Sequence, residues 1–358
     1  RCNGCGSKIG SEILENALER IIKNHPEPNS KWWERFLWKK EKSNLVLGLQ
    51  NPTDSAILKI PKNKNLALTV DQFTAVISDP YLNGKITANH CLNDLFAISA
   101  KPDFALATIS FPVKSSRLAE YDLYHSLEGA MEAFEESGCK LVGGHSTESD
   151  EMTLGFTCGG LLEEDHGSNI TGARSDDYIV ITKKVGTGIV LAYNMRNKAK
   201  AISLEQAIQS MLLSNYKASR ILKEYDVTSC TDISGFGILG HLIAILKSSH
   251  KRAIIGIENI PVFSGIKGML KDSSFIRSSM FPSNFQSYNK FLQKVDVERS
   301  YLADILFDPQ TSGGLLFTIG GEKLQNCLDE LKSKGYNSAT CIGQIGEGNP
   351  EVTLVERF

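Results

Sequence analysis

No stretch of the 358-residue chain approaches the roughly 20 consecutive apolar residues that a membrane-spanning helix needs. Nor is there an excess of charge of one sign: 39 basic against 41 acidic residues leave a formal net charge of −2, which gives nucleic acid or an anionic membrane no electrostatic hold. A signal peptide is also missing, since the chain opens on the polar glycine turn RCNGCG. The eight cysteines, at positions 2, 5, 91, 139, 158, 230, 327 and 341, form no dense disulfide framework; they are scattered, mostly in apolar or strand-like sequence, as expected in a reducing compartment. No short-period repeat is present. These absences point to a soluble cytoplasmic protein without nucleic-acid or membrane partners, and the length suggests two domains. Arg1 in place of an initiator Met is expected of a processed product or of one domain of a longer chain.

What is present falls into three stretches. In residues 1–50, Ser11 caps a helix that puts Ile13, Leu14, Leu18, Ile21 and Ile22 on one face and stops near Asn24. HPEPNSKWWERFLWKKEK comes next, holding Trp32, Trp33 and Trp38 without a clean period, and reads as a loop or loosely held insertion. With Gly4, Gly6 and Gly10 in its head, this first stretch is expected to be flexible, the alternative being that the three tryptophans pin it onto the domain. In residues 51–165, SAILKI and NLALTVDQF alternate as strands, with Leu66, Leu68 and Val70 on one face and Thr69 and Asp71 on the other. A helix over TANHCLNDLFAISA, a strand over FALATISF and a long amphipathic helix ending at Gly138 come after them. KLVGGHS and MTLGFTCGGLL then give a short strand, a glycine turn and a longer strand. Near Gly172 the pattern restarts, and helices around 204–224 and 237–248, with strands near AIIGIENI, GLLFTIG and ATCIGQIG, make a second domain over 172–358. The predicted class is α/β (α+β) with two domains.

Several residues stand out chemically. In CGSK the ammonium of Lys8 would favour the thiolate of Cys5, as a nucleophile or a selenium or sulfur carrier requires; the alternative is a Cys2–Cys5 pair used for zinc or redox exchange, although no second ligand pair is apparent. Asp54 and Asp71 stand at opposite ends of a predicted pair of strands. Asp94 lies with Thr87 and His90 opposite the apolar stripe of Ala88, Leu92, Leu95 and Phe96, facing a cleft or water. Asp232 ends an apolar strand and precedes SGFGILGHL, a glycine turn entering a helix, which suits a metal-and-polyphosphate corner or a plain helix cap. Gly143 and Gly144 in VGGHST, and Gly313 and Gly314 in DPQTSGGLLF, would let a backbone approach phosphates or would make ordinary turns, and His145 would bind a phosphate or cap a loop.

Taken in order, CGSK, DSAI, TVDQF, NHCLNDLFAISAKP, VGGHS, GARSDDYIVITKKVGTG, TDISGFGILGHL and DPQTSGGLL resemble the motif series of the selenophosphate synthetases, the selenide, water dikinases. The resemblance covers nearly the whole chain. It implies an AIR-synthetase-like fold whose N-terminal half lends strands to a β-barrel closed in a homodimer and whose C-terminal half is α+β. It also implies transfer of the γ-phosphoryl of ATP to selenide and hydrolysis of the remaining diphosphate, giving selenophosphate, AMP and orthophosphate. On this resemblance Cys5 occupies the position of the essential Cys or selenocysteine, and Lys8 that of the lysine required for the phosphate chemistry. Asp54, Asp94 and Asp232 match residues that bind Mg2+, Asp71 and Asp94 match residues contacting ATP, and Gly143, Gly144 and His145 match the backbone turn at the nucleotide.

The chain also departs from the pattern. QNPTDSAI stands where the family has a Gly-Asp-Asp-Ala-like run, so one acidic residue is missing and a proline intrudes before Asp54, which bears on metal affinity. Ser7 takes the place of the second motif cysteine. Some members carry a flavin-dependent oxidoreductase-like domain ahead of this one, and the RCNGCG opening resembles that fused form, implying a fused or associated partner of that kind. Two other readings compete: a catalytically silent nucleotide-binding paralogue that regulates a partner, and another AIR-synthetase-like ATP-dependent enzyme. Retention of both Cys5 and Lys8 argues against the first, and the CGSK head against the second.

Overall fold

The computed structural model describes residues 16–17, 20–21, 23, 45–47, 57–58, 60–112, 115–163, 171–272, 274–294 and 300–358. Cys5, Lys8, the Ser11 cap, the three tryptophans and Asp54 lie outside the described residues. Two compact units emerge, one holding residues up to Leu95 together with Ala100–His166, the other Phe96–Ser99 together with Gly167–Phe358.

In the first unit β1 (Leu45–Leu47) and β2 (Ile57–Leu58) form a small antiparallel pair. The main sheet has the order β3-β6-β4-β5, from β3 (Lys64–Thr74), β4 (Lys101–Phe111), β5 (Lys140–Glu148) and β6 (Thr153–Glu163), where β4 and β5 are parallel and the other pairs antiparallel. Two helices, α1 (Pro80–Ala97) and α2 (Ser116–Ser137), cover one face. Helix α2 begins where the Ser115 hydroxyl accepts from Leu118 N–H at 3.3 Å and ends at Gly138 with φ of +74°, a left-handed cap that glycine adopts without penalty. Phe134 of α2 meets Phe156 of β6 edge to face at 5.0 Å, so the aromatic positions of helix and sheet lock that side of the core. Helical residues Ala17 and Ile21 are buried, and Arg20 lays its guanidinium 3.7 Å from the ring centre of Tyr124 on α2.

The expected alternation of β3 holds, with a consequence for its faces. Thr69, Asp71 and Phe73 point to the helices, whereas Leu66, Leu68 and Val70 face outward and are 39%, 61% and 66% exposed. The strand thus turns its polar residues in and its apolar residues out.

The second unit is a three-layer α/β sandwich. Its seven-stranded sheet runs β10-β13-β9-β12-β7-β11-β8, built from β7 (Tyr178–Ile181), β8 (Ser229–Asp232), β9 (Lys251–Gly256), β10 (Leu292–Lys294), β11 (Leu315–Ile319), β12 (Thr340–Glu347) and β13 (Val352–Val355). On one face lie α3 (Thr187–Asn194), α4 (Ala201–Leu212), α6 (Gly237–Ser249), α7 (Ile266–Lys271) and α8 (Phe281–Tyr288). On the other lie α5 (Tyr216–Glu224) and α9 (Gly321–Ser333). Ile179 and Ile181 of β7 enter the first core and Val180 the second, so a strand covered on both faces reads as an unbroken apolar run. The stretch expected as helix over 204–224 is two helices, broken at residues 213–215, where Asn215 donates to Gly313 O at 2.7 Å.

Candidate functional site

A lane of polar side chains runs between β3 and α1. Asn83, Thr87, His90 and Asp94 recur at i, i+4, i+7 and i+11, which places them on one face of α1. That face is turned toward Thr69, Asp71 and Phe73 and away from water: Asn83 and Thr87 are buried, and the His90 side chain is 12% exposed. Thr69 donates its hydroxyl to Asp94, His90 Nε2 stands 3.8 Å from Asp71 Oδ2, and the His90 ring meets Phe73 edge-on at 5.1 Å. Asp94 is half-buried and bonded to Thr69, and the Asp71 side chain beside it remains 38% exposed. Asp71 lies within β3, paired with Phe156, and not at a strand end as the sequence suggested; the strand simply continues to Thr74.

Burial, and secondly the neighbouring Asp94, push the Asp71 carboxyl up to about 6. Two carboxylates in one partly buried lane repel one another, and a cation or a bound donor relieves that. Cys91 adds a thiol that donates to Asp71 O at 3.4 Å, and burial pushes this thiol well above its ordinary value. Burial likewise raises Cys139, Cys158, Cys230, Cys327 and Cys341, so all six described cysteines are protonated thiols.

Gly143, Gly144 and His145 do not form a glycine turn. They sit inside β5, hydrogen-bonded to β4 beyond a bulge at residue 142, with His145 exposed on what is the sheet edge among the described residues. A Cβ on Gly144 would fall 2.3 Å from Ala107 O, so glycine is required there by the closeness of β4.

In the second unit β8 ends at Asp232, which is 4% exposed, and α6 starts at Gly237 after a four-residue turn. Strand, acid, glycine turn and helix thus fall in the expected order. The turn is clasped by the DPQTSGG loop: Ile233 N–H donates to Gly314 O at 2.9 Å and Gln310 N–H to Ser234 O at 2.9 Å. From α8, Asn284 donates to Gly235 O at 2.9 Å.

DPQTSGG itself is occupied elsewhere. Gln310 Oε1 accepts from Gly186 N–H at 2.9 Å and Thr187 N–H at 3.1 Å, and Asp308 Oδ2 from Ile189 N–H at 3.2 Å, so these side chains take the donors at the start of α3. A Cβ on Gly313 would lie 2.1 Å from Ile233 O. Gly313 lets the loop close on the turn after β8 and Gly314 on Thr182 and Lys183 after β7, and the loop braces the Asp232 turn. Complete burial pushes the Asp308 carboxyl up to about 7.

Sequence reasoning alone misses several members of these two places. Thr69 is visible only as the same-face neighbour of Asp71, and Asn83 as the residue one turn before Thr87. Gln310 and His241 lie inside the DPQTSGG and TDISGFGILGH motifs, but nothing in a linear sequence says that a distant amide oxygen caps α3 or that an imidazole reaches back across a turn.

Family models for AIR synthase related proteins match the chain twice, the N-terminal domain over residues 52–162 and the C-terminal domain over residues 174–355. The thiamine-monophosphate kinase of Stenotrophomonas maltophilia K279a superposes with a TM-score of 0.66 at 18% identity, covering 95% of this chain and 96% of that one. The hydrogenase maturation protein HypE of E. coli does so with a TM-score of 0.66 at 14% identity, covering 96% and 93%. The fold is that of the AIR synthase related proteins. Among curated relatives, the selenide, water dikinase of Clostridioides difficile strain 630 is 30% identical over 355 residues, 98% of this chain and 96% of its own. Selenide, water dikinase 2 of Peptoclostridium acidaminophilum is 31% identical over 348 residues, covering 96% and 92%. The chain belongs to the selenide, water dikinase family of ATP-dependent phosphotransferases.

Proposed function

We propose that this chain makes selenophosphate from ATP, selenide and water, releasing AMP and orthophosphate. The observation that carries the reading is the polar lane of Asp71, Asp94, Thr69 and His90, a half-buried cluster of acids in a chain otherwise matched along its length by selenide, water dikinases. Asp71 and Asp94 are assigned to ATP, together with the strand backbone at Gly143 and Gly144 and the exposed His145. Asp54, Asp94 and Asp232 are assigned to Mg2+. The donor chemistry suits that ion, since hard carboxylate oxygens stand at Asp94 and Asp232 and the Asp71 carboxyl is crowded against Asp94. Mg2+ is characteristically held by one or two carboxylates and completed by phosphate oxygens and water. Bound there, it would supply positive charge against the polyphosphate.

Cys5 is assigned to selenium handling and Lys8 to charge stabilisation of the transferring phosphoryl. The six described cysteines, all raised, are poor nucleophiles, which favours the N-terminal thiol. A homodimer is part of this reading, with the outward apolar face of β3 as its seam, as is a fused or associated flavin oxidoreductase-like partner. No described helix is long and apolar enough to cross a membrane.

Formation of AMP from ATP that depends on selenide is the deciding assay. Cys5→Ser is expected to abolish it while leaving nucleotide binding in place, and Lys8→Ala to lose turnover as well. Wild-type rates in Cys5→Ser would remove the thiol from the chemistry, and absence of selenide-dependent AMP in the intact chain would remove the activity.

A further inference from the structure

Asp232 is the last residue of a strand, and the turn after it is braced from outside by the DPQTSGG loop and by Asn284. Gly235 meets nothing within 4 Å of a would-be Cβ, and the Phe236 ring is 52% exposed. Within the turn itself the side chain of His241, one turn into α6, ties the backbone N–H of Ser234 to the hydroxyl of Thr231, across Asp232 and Ile233. Ser234 N–H points at His241 Nε2 at 3.1 Å, with the Ser234 hydroxyl 3.3 Å from the same nitrogen, and His241 Nδ1 lies 3.4 Å from Thr231 Oγ1.

A backbone N–H can only donate, so Nε2 carries the lone pair and a neutral ring carries its hydrogen on Nδ1. Nδ1–H then donates to Thr231 Oγ1, whose own hydroxyl donates to Asp232 O at 3.2 Å. The relay runs from ring to hydroxyl to the backbone of Asp232. Phe236 lies against the ring at 5.7 Å and Tyr288 against Phe236 at 6.3 Å, so the imidazole is also held from the side.

The geometry assigns to His241 the part of a positioning residue: as the Nδ1–H tautomer it spans Thr231 and Ser234 and fixes the turn that presents Asp232. It rests on the reading of Asp232 as a metal-binding carboxylate. Residues that orient a ligand from behind characteristically change metal affinity 10–100-fold when lost. Gln reproduces the reach of Nε2 and keeps the shorter tie, the one made directly to the turn's backbone at Ser234, whereas Asn reproduces only Nδ1 and the longer contact with the Thr231 side chain, so the two substitutions separate the arms and the Ser234 arm carries the larger effect.

The test is the Mg2+ midpoint for binding of a fluorescent ATP analogue to the full chain, beside a thermal melt. Asp232→Asn sets the scale. His241→Asn and His241→Phe are expected to raise the midpoint roughly tenfold, His241→Gln to return it to within about threefold, and binding without Mg2+ to stay unchanged in all. If Asp232→Asn moves the midpoint but His241→Asn and His241→Phe do not, whatever happens to the melt, the assignment to His241 is wrong. It is equally wrong if His241→Gln shifts as far as His241→Asn. Should Asp232→Asn leave the midpoint in place, the metal reading of Asp232 fails first and this inference falls with it. Histidine 15N–1H spectra of the wild-type chain supply a check independent of variant folding: an Nε2–H tautomer at His241 would overturn the assignment, an Nδ1–H tautomer supports it.

Discussion

His90 Nε2 stands 3.8 Å from Asp71 Oδ2, and Asp94 completes the same lane, so Asp71 titrates in a place where burial and a like charge both favour its protonated form. With a folded-state value of about 6 against 3.8 ordinarily, the native chain keeps a proton between those values that the unfolded chain has lost. Stability from this group is fully present below about pH 4 and is lost as pH rises through about 6. Urea midpoints of the protein without divalent cations should fall more steeply over that window in the wild type than in Asp71→Asn, where buried Asp308, raised to about 7, accounts for the slope that remains. Parallel slopes would mean that Asp71 is not the perturbed group.

Thr69 is the partner that holds Asp94 in the lane. Thr69→Val keeps the shape and removes the hydroxyl, so Asp94 is left without that donor. Mg2+-dependent ATP binding should weaken by about tenfold, with Asp94→Asn weakening it at least as much. Equal affinity in Thr69→Val and wild type, read by calorimetry at fixed Mg2+, would show that the contact does not orient Asp94 for the nucleotide.

How much of this is legible in the sequence depends on range. The strand alternation of 64–74, the helix ending at Gly138, and the strand, acid, turn and helix series at Asp232 are local patterns of period 2 or 3.6, and they appear in the structure as the sequence predicts. The direction of β3 is not legible. A strand with Leu66, Leu68 and Val70 on one face invites burial of that face against its own chain, yet the helices sit on the face of Thr69 and Asp71. The paired glycines mislead for a related reason: Gly144 and Gly313 answer to backbone atoms 2.3 and 2.1 Å from a would-be Cβ, on a strand and a turn 37 and 80 residues away in sequence, and only the fold brings those atoms near. Side chains acting across such distances, Gln310 on α3 among them, leave no local signature.

Where α1 crosses α2 the two backbones touch. A Cβ on Gly84 would lie 1.9 Å from Ser126 O, and one on Gly129 the same distance from Tyr81 O, neither of which is the movable end of a side chain. Gly84→Ala must therefore push the helices apart, at a cost of about 3 kcal/mol or more. Because α1 carries His90 and Asp94, nucleotide binding should fall together with the denaturation midpoint. A variant as stable as wild type would mean that the crossing is looser than this geometry.

The outward face of β3 carries the last prediction. Among the described residues this strand pairs only with β6 and no strand lies on its other edge, while its apolar face is exposed. Leu68 and Val70, at 61% and 66% exposure, stand two apart on that face, and an open edge beside apolar side chains is the arrangement that proteins ordinarily cover. A second copy, bringing the same strand, covers both at once through a self-complementary contact. Sedimentation at micromolar concentration is expected to give a particle of twice the chain mass. Leu68→Glu should shift it to the monomer, because a buried unpaired carboxylate at the seam is costly, while leaving the fold of the single chain intact by circular dichroism. If the wild-type chain sediments only as monomer, or if Leu68→Glu remains dimeric, β3 is not the seam.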